Sequence, residues 1–450
     1  MKPADHPDIQ VSSGGAGNDG IHLSHFAGIG LSCLVLGAVV GVSSGLLGMF
    51  LDEVEKVFLG FVESSSQPSP LGVPAIRRLI SVVVGGCVAA CIWWYLRNKT
   101  TRVPSVAQAV KGARMPVWQT LLHVITQIFL VGTGGAIGRE VAPREAGAML
   151  GSVWFRWARK FGLRESDRPL LVAAAAGAGF AGIYISPLTG ALFGLEILLA
   201  STDMTAVTVC LTMSSVATLV GGAIKGFGPY YIVGEQPFSH WTMLFALIAG
   251  LLAGVVGAVF RCLTRWAETN QATGLTILWM LPAAALLTGL VAWILPEVMG
   301  NGRAIAQSAM RLSASSIGQA GNYSASSVIA FFAALGVWKF ICTSLTIRAG
   351  ASGGTLTPSI GIGAALGVIL GIVANCCGLS VPLWQAAIIG AASTLAASQQ
   401  APLMALFMLF EICHLPAPAL LPLSLAVALS TAVSHRILVN HNNSKFEASN

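Results

Sequence analysis

Charge is scarce in this 450-residue chain. Asp, Glu, Lys and Arg make up only 10% of it, against about 25% in an ordinary soluble chain. Hydrophobic residues reach 55% and mean hydropathy is +0.76, which excludes a water-soluble domain of this length. Metal-ligand spacing is lacking too. Of the nine cysteines, Cys33, Cys87, Cys91, Cys210, Cys342 and Cys413 lie in apolar stretches and read as small packing residues, while the adjacent Cys376 and Cys377 imply no disulfide framework. The eight histidines form no H-E-x-x-H, and His123 reads as a helix-packing residue. No metal or cofactor is expected. The net charge of +7 is scattered through apolar segments and short loops, which argues against a nucleic-acid partner. Residues 1–24 are polar, without a charged n-region leading into a short apolar core. They read as a disordered cytoplasmic tail, not a cleaved signal peptide.

What is present is apolar sequence in long uncharged runs. Ala27 to Phe50, Leu79 to Leu96 and Thr205 to Ile224 carry no charge, and further runs cover Met243 to Phe260, Gly274 to Leu295, Ser326 to Trp338, Leu356 to Trp384 and Leu415 to His435. Runs of this kind cross a hydrocarbon core of roughly 30 Å as helices. Lipid offers the backbone no hydrogen-bond partner, so helix is the expected form. The densest basic cluster, Arg156, Arg159, Lys160, Arg164 and Arg168, fits a cytoplasmic loop.

The chain also repeats itself. Gly135-Ala-Ile-Gly138-Arg-Glu-Val-Ala-Pro143 and Gly350-Ala-Ser-Gly353-Gly-Thr-Leu-Thr-Pro358 share the pattern G-x-x-G-x-x-x-x-P, with 350 − 135 giving an offset of 215 residues. Pro187-Leu188 followed by Glu196-Ile197 matches Pro402-Leu403 followed by Glu411-Ile412, and 402 − 187 gives 215 again. Gly37-x-x-x-Gly41 and Gly250-x-x-x-Gly254 add a weaker match at 213. Two membrane repeats are therefore expected, at 25–225 and 240–435, with a polar C-terminal stub at 436–450. Several apolar segments are too short or too broken to span. Leu170 to Ile185 and Leu188 to Ala200 are separated only by Ser186-Pro187, and Gln385 to Ala397 and Leu403 to Cys413 by Ser398 to Pro402. Corresponding Gly/Pro-broken segments in paired halves mark a binding site in membrane transporters.

Each copy of the first motif is a glycine cluster opening a helix near a proline. A helix N-terminus presents unpaired N–H groups and the positive end of the dipole. Two such termini facing each other bind an anion without a full positive charge, which lets the anion leave again. The bland alternative is that the glycines only allow close helix packing. Glu140 inside the first copy favours the ion site, because a carboxylate in a membrane is costly and functional by default. When ionised it competes with an anion; when protonated it swings away. A salt bridge to Arg139 or Arg144 is the structural alternative.

On these residues the chain resembles the CLC chloride channels and chloride–proton antiporters. Gly138-Arg139-Glu140 is similar to their G-R-E-G-P motif, and Gly354-Thr355-Leu356-Thr357-Pro358 to their G-x-F-x-P. Ala174 to Leu198 looks like the family's glycine/alanine-rich helix followed by A-P-L-A-G and a glutamate. Thr100 to Pro104 falls where G-S-G-I-P is expected, and Gly300-Asn301-Gly302 opens a loop similar to that of bacterial members. The likeness runs from about residue 30 to 435. It implies an all-α polytopic membrane protein with a CLC-like fold of two inverted repeats, many of the helices tilted and broken. It also implies a homodimer with one chloride pathway per subunit, chloride and, in the proton-coupled members, protons as the ligands carried, and no enzymatic activity.

Residue by residue, Glu140 corresponds to the gating glutamate. The N–H groups of Arg139, Glu140 and Val141 are implied to line the outer anion path, and those of Thr355 and Leu356 its centre. Thr101 takes the place of an anion-coordinating serine, and Glu411 reads as structural. In such a fold the basic cluster would also concentrate anions near a pore mouth.

Three departures bear on function. The first motif reads G-R-E-V-A-P, with Val141 and Ala142 in place of glycine and the proline one position late. The C-terminal anion-coordinating tyrosine has no counterpart; the tyrosines are Tyr95, Tyr184, Tyr230, Tyr231 and Tyr323. Ile197 occupies the position of the internal proton-transfer glutamate, leaving the adjacent Glu196 as a substitute that points about 100° away on a helix. The expectation is a chloride path that is channel-like or weakly proton-coupled, in a multi-pass bacterial inner membrane protein. Strict antiport, or transport of fluoride, nitrate or another anion, is the alternative. An intramembrane protease built on Gly350-Ala-Ser352-Gly353 and His414 is disfavoured, since the matching copy has Ile137 where Ser352 stands.

Overall fold

The computed structural model describes residues 16–313 and 324–449. Among them, sixteen α-helices follow one another and no strand forms. The first eight are α1 (Ala16–Phe58), α2 (Ala75–Lys99), α3 (Val106–Val110), α4 (Val117–Gly132), α5 (Val141–Ala158), α6 (Arg168–Tyr184), α7 (Pro187–Leu192, continued by a π turn Phe193–Leu199) and α8 (Met204–Lys225). The second eight are α9 (His240–Thr269), α10 (Ile277–Ile294), α11 (Arg303–Arg311), α12 (Ala325–Arg348), α13 (Leu356–Cys376), α14 (Leu383–Gln399), α15 (Pro402–Ile412) and α16 (Leu420–Ser449). Helices α5, α6 and α7 begin 215 residues before α13, α14 and α15.

Among the described residues, eight helices are long and apolar enough to cross a membrane. Their outward residues, such as Leu34, Leu46, Ile80, Leu219, Ile248, Leu251, Trp293 and Val337, are large, apolar and exposed. The shorter helices α6 and α14 sit inside. Nearly every residue from Leu171 to Gly182 in α6 and from Leu383 to Ser398 in α14 is buried. Alanine and glycine dominate there because backbones must approach closely where lipid supplies no hydrophobic drive between helices. The weak 213-residue glycine match has this cause. Gly37 and Gly41 of α1 rest on α8 at Met213 and Ala217, and Gly250 and Gly254 of α9 rest on α16 at Ala426 and Ser430.

Several boundaries differ from the sequence reading. Helix α1 begins at Ala16, inside the segment expected to be a tail, while residues 1–15 of that segment lie outside the described residues. Helix α16 runs on through most of the expected stub to Ser449, since no Gly or Pro after Pro422 stops it. The run Leu356 to Trp384 is two helices, broken at Cys377–Pro382, where Gly378 takes a positive φ and Asn375 bonds the backbone of Val381 in both directions. The run ending at Trp338 continues to Arg348. Its lysine, Lys339, is fully buried, and its ammonium donates to the carbonyls of Val298 (3.1 Å) and Gly300 (2.6 Å).

A candidate anion site at two facing helix N-termini

The two copies of the glycine motif meet. Gly138 N–H donates to Gly354 C=O at 2.7 Å and Gly354 N–H to Gly138 C=O at 2.9 Å, the one isolated β-bridge among the described residues. This pairing brings the start of α5 against the start of α13. From there the two helices run in opposite senses. Helix α5 ends beside the basic loop at Arg159, whereas α13 ends near the cavity that Asn375 shares with Arg311, and Arg311 bonds Ser66 on the opposite side. The repeats are therefore inverted.

Glu140 is the last residue before α5, and it is completely buried. Its carboxylate reaches across to the other repeat. Oε1 accepts from the Leu356 N–H at 2.7 Å, and Oε2 contacts the Thr357 hydroxyl at 3.2 Å. A side-chain anion thus occupies the N-terminus of α13, the place where the unpaired N–H groups and helix dipole favour negative charge. Tyr184 OH lies 2.8 Å from Thr357 Oγ1. An ionised carboxylate only accepts, so Thr357 donates to Glu140 and Tyr184 donates to Thr357, a chain in which each bond polarises the next. Neither Gly138 nor Gly354 could carry a side chain beside this carboxylate: a Cβ added at either would collide with it.

The cations expected as alternative partners do not bind the carboxylate. Arg144 Nε donates to the backbone carbonyl of Glu140 at 2.8 Å, and its guanidinium lies 4.8 Å from the Phe193 ring. Arg139 stacks over Tyr184 (5.4 Å) and Tyr230 (5.1 Å), as a partly desolvated guanidinium can. Thr355 caps α13 and receives a bond from Gln399 at 3.3 Å, and Val141 opens α5. The structure brings together Glu140, Leu356, Thr355, Val141 and Arg139.

Thr101 and Glu196 stand apart from this cluster. Thr101 is exposed in the loop between α2 and α3, and the next residues of that loop, Arg102 to Ser105, line a cavity of about 570 Å³ instead. Glu196 accepts from the Leu403 (3.3 Å) and Met404 (2.9 Å) N–H groups, capping α15. Glu411 does the same for α7, accepting from Leu188 N (2.8 Å), Thr189 N (2.8 Å) and Thr189 Oγ1 (2.6 Å). Each repeat caps a broken helix of the other.

Sequence reasoning missed Tyr184 and Thr357. The available signal was polarity, since a tyrosine and a threonine stand in otherwise apolar segments.

One face gathers most of the basic loops. Arg97 Nη2 donates to Ser352 Oγ (2.8 Å), Gln271 to the Ala351 carbonyl (3.2 Å) and Arg168 to the Ala113 carbonyl (3.2 Å), so the loops carrying Lys99, Arg102, Lys111 and Arg114 lie together. The positive-inside tendency makes this the cytoplasmic face. Outside the membrane segments, the exposed Asp203 caps α8 through Ala206 N–H at 3.0 Å, and that bond holds its carboxyl below its ordinary range. On the opposite face Arg303 pairs with Glu63 at 3.2 Å and bonds Ser65 and the Tyr230 carbonyl.

A multi-pass helical membrane protein with a carboxylate held where helix N-termini of two inverted repeats meet belongs to the anion-handling membrane transport proteins. The family model described as voltage gated chloride channel matches residues 85–435. The chain belongs to that family, whose members are channels or transporters, and it is a multi-pass inner-membrane protein of the bacterial type. It is 28% identical over 396 residues to the voltage-gated ClC-type chloride channel ClcB of Salmonella typhi, covering 84% of this chain and 90% of that one. It is 27% identical over 415 residues to a putative ClcB-like chloride channel protein of Ralstonia nicotianae, covering 89% and 93%. Among solved structures, a slow cyanobacterial Cl-/H+ antiporter matches with a TM-score of 0.73 at 20% identity, covering 90% of this chain and 95% of that one. A CLC-type fluoride/proton antiporter matches at 0.66 and 19%, covering 91% and 95%. At these identities the two structures speak for the fold.

Proposed function

We propose that this CLC-type anion transport protein carries chloride along a path closed by the Glu140 side chain, in a channel-like or weakly proton-coupled manner. The observation that supports this most directly is the carboxylate on the Leu356 N–H, because it occupies the position a transported anion needs. Protonation removes its charge and the reason for it to stay. The side chain then leaves, and chloride takes over the N–H groups of Leu356 and Thr355 at the start of α13 and of Arg139, Glu140 and Val141 at the start of α5. These groups carry only partial charge, so the anion exchanges quickly.

Ile197 at the position of the internal proton glutamate favours weak coupling. Glu196 would serve as the internal proton partner only by releasing its bonds to α15, which makes strict chloride/proton antiport the second reading. The exposed Thr101 and the absent C-terminal tyrosine bear on which anion is carried, so fluoride and nitrate belong in the same assay. A homodimer with one path per subunit follows from the family resemblance, and crosslinking in membranes followed by mass determination tests it. The function itself is tested by reconstitution into chloride-loaded liposomes, following chloride efflux and internal pH together. Wild-type protein is expected to release chloride, with flux rising as pH falls, and Glu140→Gln to remove that rise. Absence of chloride movement, with fluoride or nitrate moving instead, would overturn the chloride assignment.

A further inference from the structure

The cytoplasmic cavity of about 570 Å³ holds a group of polar side chains that the Glu140 gate does not use. Glu145 of α5 and His123 of α4 both line it, although each is largely buried. Gln127 Nε2 donates to Glu145 Oε2 at 2.6 Å, and His123 Nε2 stands 3.5 Å from the same oxygen. His123 Nδ1 accepts from the Trp93 indole at 3.0 Å. An indole N–H can only donate, so Nδ1 is bare and the neutral ring carries its proton on Nε2, facing Glu145. Both donors therefore converge on Oε2 and leave Oε1 of Glu145 free to take a proton from the cavity.

Packing alone does not require these residues. The other repeat pairs α12 and α13 in the same way, and at the 215-residue offset it has Ile360, Trp338 and Cys342 for Glu145, His123 and Gln127. The charged groups facing the pair are Arg97 of α2, Arg102 of the following loop and Arg144 of α5. Helix α4 adds no other titratable group and α3 none, while Arg168 of α6 bonds Ala113. In the C-terminal half of α1, Asp52 pairs with Lys225, Glu53 with Lys56, and Glu55 accepts from the Glu63 N–H.

The cavity also approaches the gate. Ser352 is part of its wall, two residues before Gly354, which lies directly against the Glu140 carboxylate. Along α5, Glu145 is five residues from Glu140, a rise of roughly 7.5 Å. We infer that Glu145, oriented by His123 and Gln127, is the cytoplasmic proton acceptor that loads Glu140 in this chain, where Ile197 cannot and Glu196 is committed to a helix cap. A proton from cavity water binds Glu145 Oε1 and passes through that water to the Glu140 carboxylate as it leaves Leu356. Glu145 is then ionised again. The inference rests on the Glu140 gate and is tested separately from it.

Proteoliposomes carrying Glu145→Gln, Glu145→Asp, Glu196→Gln or Glu140→Gln are compared with wild type for the ratio of proton to chloride movement. Glu145→Gln is expected to lower that ratio by about tenfold or more, with chloride flux kept because Glu140 still takes protons from the opposite face, whereas Glu145→Asp and Glu196→Gln keep the ratio. If Glu145→Gln does not yield folded protein, His123→Gln replaces it, with a severalfold fall expected at unchanged chloride flux. A wild-type ratio in Glu145→Gln, or chloride flux in wild type with no proton movement at all, overturns the inference while leaving the Glu140 gate standing. Loss of the Glu140→Gln effect overturns the gate itself.

Discussion

The two repeats share a skeleton and differ in what it carries. In both, a glycine cluster opens a long buried helix, a broken helix follows with proline at its start, and a glutamate caps the opposite repeat's broken helix. At the centre they diverge. The first repeat places Glu140 at the helix start, and the second has Thr355 there, with the Leu356 N–H that receives the Glu140 carboxylate. One repeat supplies the carboxylate and the other the N–H group that receives it. Symmetry brings the two helix starts together, and asymmetry places a carboxylate on only one of them.

The sharpest way to break that comparison is to neutralise Glu140. Glu140→Gln should raise chloride flux at neutral pH by roughly tenfold or more, the factor corresponding to about 1.5–3 kcal/mol for a charged hydrogen bond. The liposome efflux assay at fixed pH reads it directly. Gly354→Ala attacks the same contact from the other repeat. The added methyl meets the flexible end of Glu140, so the carboxylate should move out rather than the fold collapse. A flux increase of roughly three- to tenfold with normal protein yield is expected; unchanged flux would mean that the carboxylate does not block the path.

Smaller effects should separate the two caps, which the offset makes equivalent. Glu411 accepts three bonds of 2.8 Å or less, against two for Glu196, one of them 3.3 Å long. Glu411→Ala should cost about 2–3 kcal/mol and Glu196→Ala about 1–2 kcal/mol, and thermal unfolding in detergent should rank them in that order. Smallest is Thr357→Val, which removes one hydroxyl from the Tyr184–Thr357–Glu140 chain. About 0.5–1 kcal/mol less hold on the carboxylate should raise neutral-pH flux roughly two- to fivefold. No change there would make the threonine a packing residue.

Much of the skeleton was legible because it depends on residue types with few alternatives. Gly138 and Gly354 are dictated by the space the Glu140 carboxylate fills. Pro187 and Pro402 mark where a membrane helix must break. A carboxylate in an apolar run is conspicuous, so Glu140 stood out, and the family resemblance made Glu411 readable as structural. His123 was harder. Its helix reads as packing from any single side, and only the approach of Glu145 and Trp93 gives the ring a polar purpose. The break after Cys376 was hidden because both sides of it are apolar. Lys339 ended a span too early, because a lysine can be buried when two carbonyls from another segment receive it.

By itself the sequence determined that the chain lives in a membrane, that it is built twice, and that a carboxylate accompanies one of the paired helix starts. These follow from transfer energies and backbone geometry, which act locally along the chain. Tertiary structure alone decided which N–H group receives Glu140, that Glu196 and Glu411 cap helices in the opposite repeat, and that Glu145 shares one cavity with His123, whose ring the Trp93 indole bonds. The first and second of these contacts join residues more than 200 positions apart, and no periodicity or spacing records such a meeting until the inverted repeats pack against each other.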